Sequence, residues 1–178
     1  LGRALGPLVA LHQSLGMESA LELAHVVARK LIEDAFPEDG AFAIFRTSTH
    51  IHSLTCTFSG LAEYAEYCGD TLAMQRVRSF YDNGLWSLRD GIGWTIEGLR
   101  PEGQGCPEMG EANNTGDIME AALVLGRAGD ALAFADVETI LRGHLLPSQL
   151  RDTSFIQESP NPNNEDALRD YADRNLGA

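Results

Sequence analysis

Three glutamates, Glu97, Glu108 and Glu111, fall in one glycine-broken stretch that begins beside Trp94 and runs into "GEANNTGDIMEAALVLG". Carboxyl groups gathered in this way can divide acid and base work. Cleaving a glycosidic bond takes one carboxyl to protonate the leaving oxygen and a second as base or nucleophile, about 5 Å away for retention and about 6.5–9.5 Å for inversion. Trp94 offers a ring face for a sugar, and the amides of Asn113 and Asn114 can pair with hydroxyls. The same asparagines equally suit a turn and cap ahead of Thr115 and Asp117. Glu111 is the first choice as base or nucleophile, because it stands nearest the start of an apolar helix, where free N–H groups and the helix dipole favour negative charge. Glu97 or Glu108 would then be the proton donor, kept protonated by burial or by a neighbouring carboxylate. The plain alternative is that all three are solvated acids on an acidic chain.

A second group, Arg46, His50 and His52, precedes a different helix. Histidines two apart point in different directions on a helix, so one of the pair is expected to face a cavity, as a substrate contact. Four residues, His50, His52, Cys106 and Glu108, are of types that zinc accepts, but none stands at a recognised zinc spacing. No metal or other cofactor is therefore assigned. Cys106 is followed by a proline and not by a cation that would activate it, and reads as a structural or surface thiol.

These residues need a scaffold, and three segments show its pattern. Gly16, Gly69 and Gly129 each follow a helical stretch and are followed four residues later by alanine (Ala20, Ala73, Ala133) and a second helical stretch. Glycine just past a helix takes the left-handed conformation without a Cβ clash, and Asp70 and Asp130 can cap the next helix. The unit is thus a helical hairpin, repeated three times. Its first members carry Leu5, Leu8, Val9, His12 and Leu15; then Ile51, Leu54, Thr55, Phe58, Leu61, Ala62 and Ala65; then Ile118 to Leu125, apolar nearly all round and so expected to be buried on every side. The second members carry narrower stripes, Ala20, Leu23, Ala24, Val27 and Leu31, and Ala73, Val77, Phe80 and Tyr81, as in an outer, half-wet layer. His12, His25, Phe58, Phe80, Trp86 and Phe134 read as packing residues, and Cys56 and Cys68 as small hydrophobes.

Short turns join first to second helices. The returns, about 36–50 and 90–116, are long and glycine-rich, and such connections tend to carry function. Because hairpins alternate direction, both returns should lie at the end where the inner helices begin. The hairpins occupy residues 1–150, and residues 151–178 read as a loop-rich tail with at most a short helix.

Bulk properties narrow the partners. A composition 44% hydrophobic and 22% charged is that of a folded globular chain. The excess of 26 acidic over 13 basic residues repels nucleic acid and anionic membrane surfaces. The three cysteines are odd in number and widely spaced, which argues against a disulfide framework and favours a reducing, cytoplasmic compartment. No phosphate loop, dinucleotide fingerprint, Gly-x-Ser-x-Gly or His-Glu-x-x-His motif occurs. A chain opening on Leu1 and closing on "DRNLGA" reads as a segment, and a signal before position 1 stays open.

The words "HIHSLTCTFSGLAEYAEYCGD" and "GEANNTGDIMEAALVLGRAGDALAFADVETILRGHL" resemble the inner helix, "GD" turn and outer helix of the six-hairpin glycosidases, the (α/α) toroids. Within them the chain looks nearest the bacterial β-L-arabinofuranosidase-like family, where an acidic, cysteine-bearing loop precedes an inner helix. The resemblance implies an all-α fold, part of an (α/α) toroid, and hydrolysis of a carbohydrate substrate. A closed toroid takes six hairpins against three here, which implies that the rest of the toroid or a second subunit closes the cleft. The paired cysteines and Glu-x-Cys element of that family are absent, so its cysteine mechanism is not implied. The rival expectation is a non-catalytic helical-repeat module whose long loops form an acidic docking face.

Overall fold

The computed structural model describes residues 2–42, 50–98, 110–166 and 169–177. Within them the chain is all-helical. A 3-10 turn, Gly2–Ala4, leads into α1 (Leu5–Leu15) and α2 (Glu18–Asp34). Next come α3 (Ile51–Cys68) and α4 (Thr71–Asp82), then α5 (Ala112–Arg127) and α6 (Ala131–Ile140). A π turn (Leu141–Leu145) carries α6 into α7 (Leu146–Ser148), and α8 (Tyr171–Arg174) is a single short turn in the tail. No described helix is long and apolar enough to cross a membrane.

Each hairpin closes as its local chemistry dictates. Gly69 ends α3 in the left-handed region, φ 64°, and Asp70 accepts a hydrogen bond from Ala73 N at 3.0 Å to start α4. At the third hairpin Gly129 has φ 102°, and Asp130 accepts from Leu132 N. Gly16 plays the same part after α1. With turns this short the paired helices must run antiparallel.

Helix α3 packs against α1 on one side and α5 on the other, and against its own partner α4. The molecule therefore has a row α1, α3, α5 backed by α2, α4, α6. Its centre is aromatic: Phe36, Phe58 and Phe80 are buried, with the Phe58 and Phe80 ring centroids 5.1 Å apart. The apolar positions of α3 named from the sequence, Ile51 through Ala65, are all buried, as are Ala73, Val77, Phe80 and Tyr81 of α4. Helix α5 is buried along Ile118, Ala121, Ala122, Val124 and Leu125, but Glu120 breaks the expected all-round burial and faces out beside α3.

Five expected packing positions turn out exposed, among them Leu15 at the end of α1 and His25 on α2. Leu23 of the α2 stripe is 50% exposed. Phe134 and Trp86, expected as anchors, lie on the surface. Phe134 lays its ring over Gly126, where a Cβ would come within 2.6 Å of it, and Trp86 stacks on the guanidinium of Arg89 at 4.2 Å. Both have a specific partner but lie outside the core, because α6 and the turn after α4 are edge elements.

Where α1 meets α3 the backbones nearly touch. A Cβ at Gly60 would stand 2.8 Å from Gly6 N, so the glycine at position 60 permits the approach. Arg89, its side chain fully buried, donates from NH2 to Asp136 Oδ2 at 2.7 Å and ties the segment after α4 to α6. Tyr81 donates to the same carboxylate oxygen, and burial followed by that hydrogen bond drives the Tyr81 phenol well above its usual range.

Candidate functional site

The described ends of both long connections, at His50, 94–98 and Gly110, meet at one rim. Isolated antiparallel bridges pair His50 with Gly98 and Ile96 with Gly110, and Ile51 N donates to Glu97 O at 2.9 Å. The 94–98 segment is thereby sewn to the starts of α3 and α5 at once. Arg46, Cys106 and Glu108 lie outside the described residues.

Glu97 is the buried centre of this rim. Its Oε2 accepts from Asn114 Nδ2 at 2.9 Å and from His52 N at 3.2 Å. Its Oε1 is shut off from solvent and makes no hydrogen bond among the described residues, although His50 Nε2 stands 3.1 Å away. The contact has ion-pair distance without hydrogen-bond alignment.

Glu111 is the N-cap residue of α5, in extended conformation, but its side chain caps nothing. It turns toward the neighbouring helix and places Oε2 3.5 Å from His52 Nδ1. Carboxylate oxygens of Glu97 and Glu111 lie within 4.8 Å of each other and of a ring nitrogen of His50.

Both histidines face this cluster, with ring centroids 6.1 Å apart, contrary to the expectation that only one would. The reason is local. His50 is not helical but is the extended N-cap of α3, its Nδ1 accepting from Ser53 N at 3.3 Å, whereas His52 lies in the first turn. The helical rule that separates residues two apart does not apply across a cap.

Asn114 is fully buried and bridges Glu97 to Thr55, whose hydroxyl lies 3.3 Å from Asn114 Oδ1. Asn113 is exposed. Neither is the cap, since α5 starts at Ala112, earlier than the apolar run suggests. Trp94 is half-buried and set edge-on to His144, with centroids 5.4 Å apart, while Gly110 packs against the ring. That packing, not an open sugar platform, is its present role. His144, on the π turn, is also 3.1 Å from Thr115 Oγ1 and closes the site from the α6 side.

Sequence reasoning missed Asp117, Thr55 and Arg3. Asp117 Oδ2 accepts from Thr55 Oγ1 at 2.7 Å and lies 3.7 Å from His52 Nε2, while Arg3 NH2 reaches His52 Nδ1 at 3.1 Å. Burial pushes the Asp117 carboxyl above its usual range, against the opposing pull of the Thr55 hydroxyl and of His52. The available signal was Thr55 on the apolar stripe of α3: a buried hydroxyl there needs an acceptor, either in its own preceding turn or on the facing helix.

As metal ligands, His50, Glu97 and Glu111 suit poorly. With Nδ1 of His50 accepting from Ser53 N, the neutral ring carries its proton on Nε2. Ligation through Nε2 would move that proton to Nδ1 and break the N-cap contact with the backbone of Ser53, which has no freedom to withdraw. The arrangement instead fits a carboxylate pair flanked by imidazoles.

No protein-family model matches the chain, and no curated protein matches it. Among solved structures it is similar to the crystal structure of the Lin0763 protein from Listeria innocua, with a TM-score of 0.66 and 18% identity. The match takes in 85% of this chain and 45% of that one, so the chain spans less than half the length of the protein it matches. At this identity the likeness is one of fold, and it establishes the helical architecture alone.

Proposed function

We propose that the chain is part of an (α/α) toroid and that its rim cleaves a glycosidic bond with Glu97 and Glu111 as the carboxylate pair. The observation that carries this reading is that an oxygen of each carboxylate lies within 4.8 Å of the other. That bound falls short of the roughly 6.5–9.5 Å an inverting pair needs to admit water, and so favours the closer pairing of retaining glycosidases. The groups also turn toward each other, between two histidines, whereas an acidic docking face would splay them into solvent.

The donors around each carboxylate suggest their roles. Glu97 is held by the Asn114 amide and the His52 N–H, a fixed setting that suits a nucleophile whose unbonded Oε1 attacks the anomeric carbon once the exposed His50 side chain swings aside. Glu111 is more exposed and makes no capping bond, so it can reach the leaving oxygen, protonate it, and later deprotonate the water that releases the sugar. This reverses the division expected from Glu111's place at the start of α5, because the hydrogen bonds concentrate on Glu97.

The test is a screen of aryl glycosides followed by Glu97→Gln and Glu111→Gln. Turnover should vanish in the first. In the second it should persist only for activated leaving groups, with azide intercepting the intermediate to give a glycosyl azide of retained configuration. An inverted azide from Glu111→Gln would exchange the two roles. Absence of any sugar binding by the unmodified chain would overturn the reading.

A further inference from the structure

The face of α3 and α5 next to this rim carries a cluster that the carboxylate-pair chemistry does not use. His52 and Cys56 are four residues apart on α3 and therefore stand one above the other on the same side of the helix. Asp117 meets them from α5. One ligating atom from each, an imidazole nitrogen, the thiol sulfur and a carboxylate oxygen, lies within 4.8 Å of the other two. We propose that His52, Cys56 and Asp117 bind a zinc-type divalent cation, with solvent in the fourth position.

Four observations support the site. First, the donor set, one imidazole, one thiolate and one carboxylate, is a borderline-soft combination that suits zinc over calcium or magnesium. Second, the separations are near those required: bond lengths of about 2.0–2.3 Å in a tetrahedral shell put donors roughly 3.3–3.8 Å apart, so side-chain rotation of about 1 Å brings the three into place. The His52 Nε2 to Asp117 Oδ2 distance is already 3.7 Å.

Third, an outer shell is present. Thr55 donates to Asp117 Oδ2 at 2.7 Å, and Glu111 Oε2 lies 3.5 Å behind His52 Nδ1. A carboxylate on the far nitrogen orients an imidazole whose near nitrogen ligates a metal. Fourth, Cys56 and Asp117 open onto a pocket of about 300 Å³ that also exposes Glu63 and Glu120, with Arg3 the one cation among the described residues that line it. Among those residues, three carboxyl groups and a thiol thus face one guanidinium, a balance that favours a bound cation.

The proton balance is simple. Without the ion, Arg3 donates to His52 Nδ1 and the ring proton sits on Nε2. On binding, Nε2 supplies its lone pair, the ring proton moves to Nδ1 to face Glu111, and exposed Arg3 withdraws toward the pocket carboxylates. The thiol gives up its proton to solvent, so about one proton leaves per ion bound. The site stands or falls on ion binding and not on glycoside cleavage.

The experiment is a Co(II) titration of the intact chain, followed by competition with Zn(II). We expect a thiolate-to-cobalt charge-transfer absorption that saturates at one equivalent and disappears on adding zinc. Cys56→Ser should abolish the absorption while leaving the far-UV circular dichroism unchanged; Cys68→Ser and Cys106→Ser should keep it. Asp117→Asn should weaken binding at least about tenfold, since even outer-shell losses cost that much. No thiolate absorption in the unmodified chain, or an absorption that survives Cys56→Ser, overturns the proposal.

Discussion

Replacing Asn114 by alanine tests whether one buried amide holds the candidate site together. Asn114 has no solvent exposure, and its Nδ2 donates to Glu97 Oε2 at 2.9 Å. A hydrogen bond to a charged acceptor contributes about 1.5–3 kcal/mol. The void adds about 0.6 kcal/mol, taking about 24 cal/mol per Å³ over roughly 25 Å³. The loss on the Thr55 side is small, because Thr55 keeps Asp117 at 2.7 Å. The sum is about 2–4 kcal/mol, or a fall in Tm of roughly 4–16 °C at about 2–4 °C per kcal/mol for a chain of this size. Urea denaturation should show the midpoint falling with the m-value unchanged. A double-mutant cycle with Glu97→Gln should give a coupling of at least about 1 kcal/mol, since neutral glutamine no longer rewards the amide as a carboxylate does. A single-mutant loss below about 0.5 kcal/mol, or additivity in the cycle, would refute the view that Asn114 positions Glu97.

Removing the acid from the buried pair by Asp136→Ala should cost about 3–5 kcal/mol in equilibrium unfolding, because the fully buried Arg89 would be left unmatched. Gly60→Ala should destabilise by about 1–3 kcal/mol through overpacking against Gly6, although helix propensity alone favours alanine by about 1 kcal/mol; a stabilised variant would disprove the close approach. The Glu63 carboxyl is raised by burial and then by Glu120, so the folded state holds its proton more tightly than the unfolded one. Its contribution is complete below the unfolded carboxylate range, near pH 4.3, and is lost as pH rises through the folded value. Glu63→Gln should accordingly raise Tm at pH 7 and flatten the part of its pH profile just above that range, as differential scanning calorimetry would show.

The hairpins were legible in the sequence because their causes are local. Apolar spacing on α3 and α4, the left-handed glycines at 16, 69 and 129, and the capping aspartates 70 and 130 each act within a turn or two of helix, so a window of a few residues contains the whole physical argument. The meeting of the described ends of the two long connections at one rim followed from the same alternation of hairpins. What sits on that rim did not. Asn114 meets Glu97, and Thr55 meets both Asn114 and Asp117, across residues far apart in the chain. A side chain's partner on another helix depends on rotation and offset between helices, which no local pattern encodes.

The same limit explains particular misses. His50 and His52 converge because a cap breaks helical geometry at one of them. Trp94 is taken up by His144 from the π turn after α6, and Gly60 is paired with Gly6 by the approach of two backbones. Periodicity and capping determined which residues would be helical and which face would be apolar. Only the packing of α3 against α5 decided which polar groups would meet, because burial forces each of them to find its partner among whatever the facing helix presents.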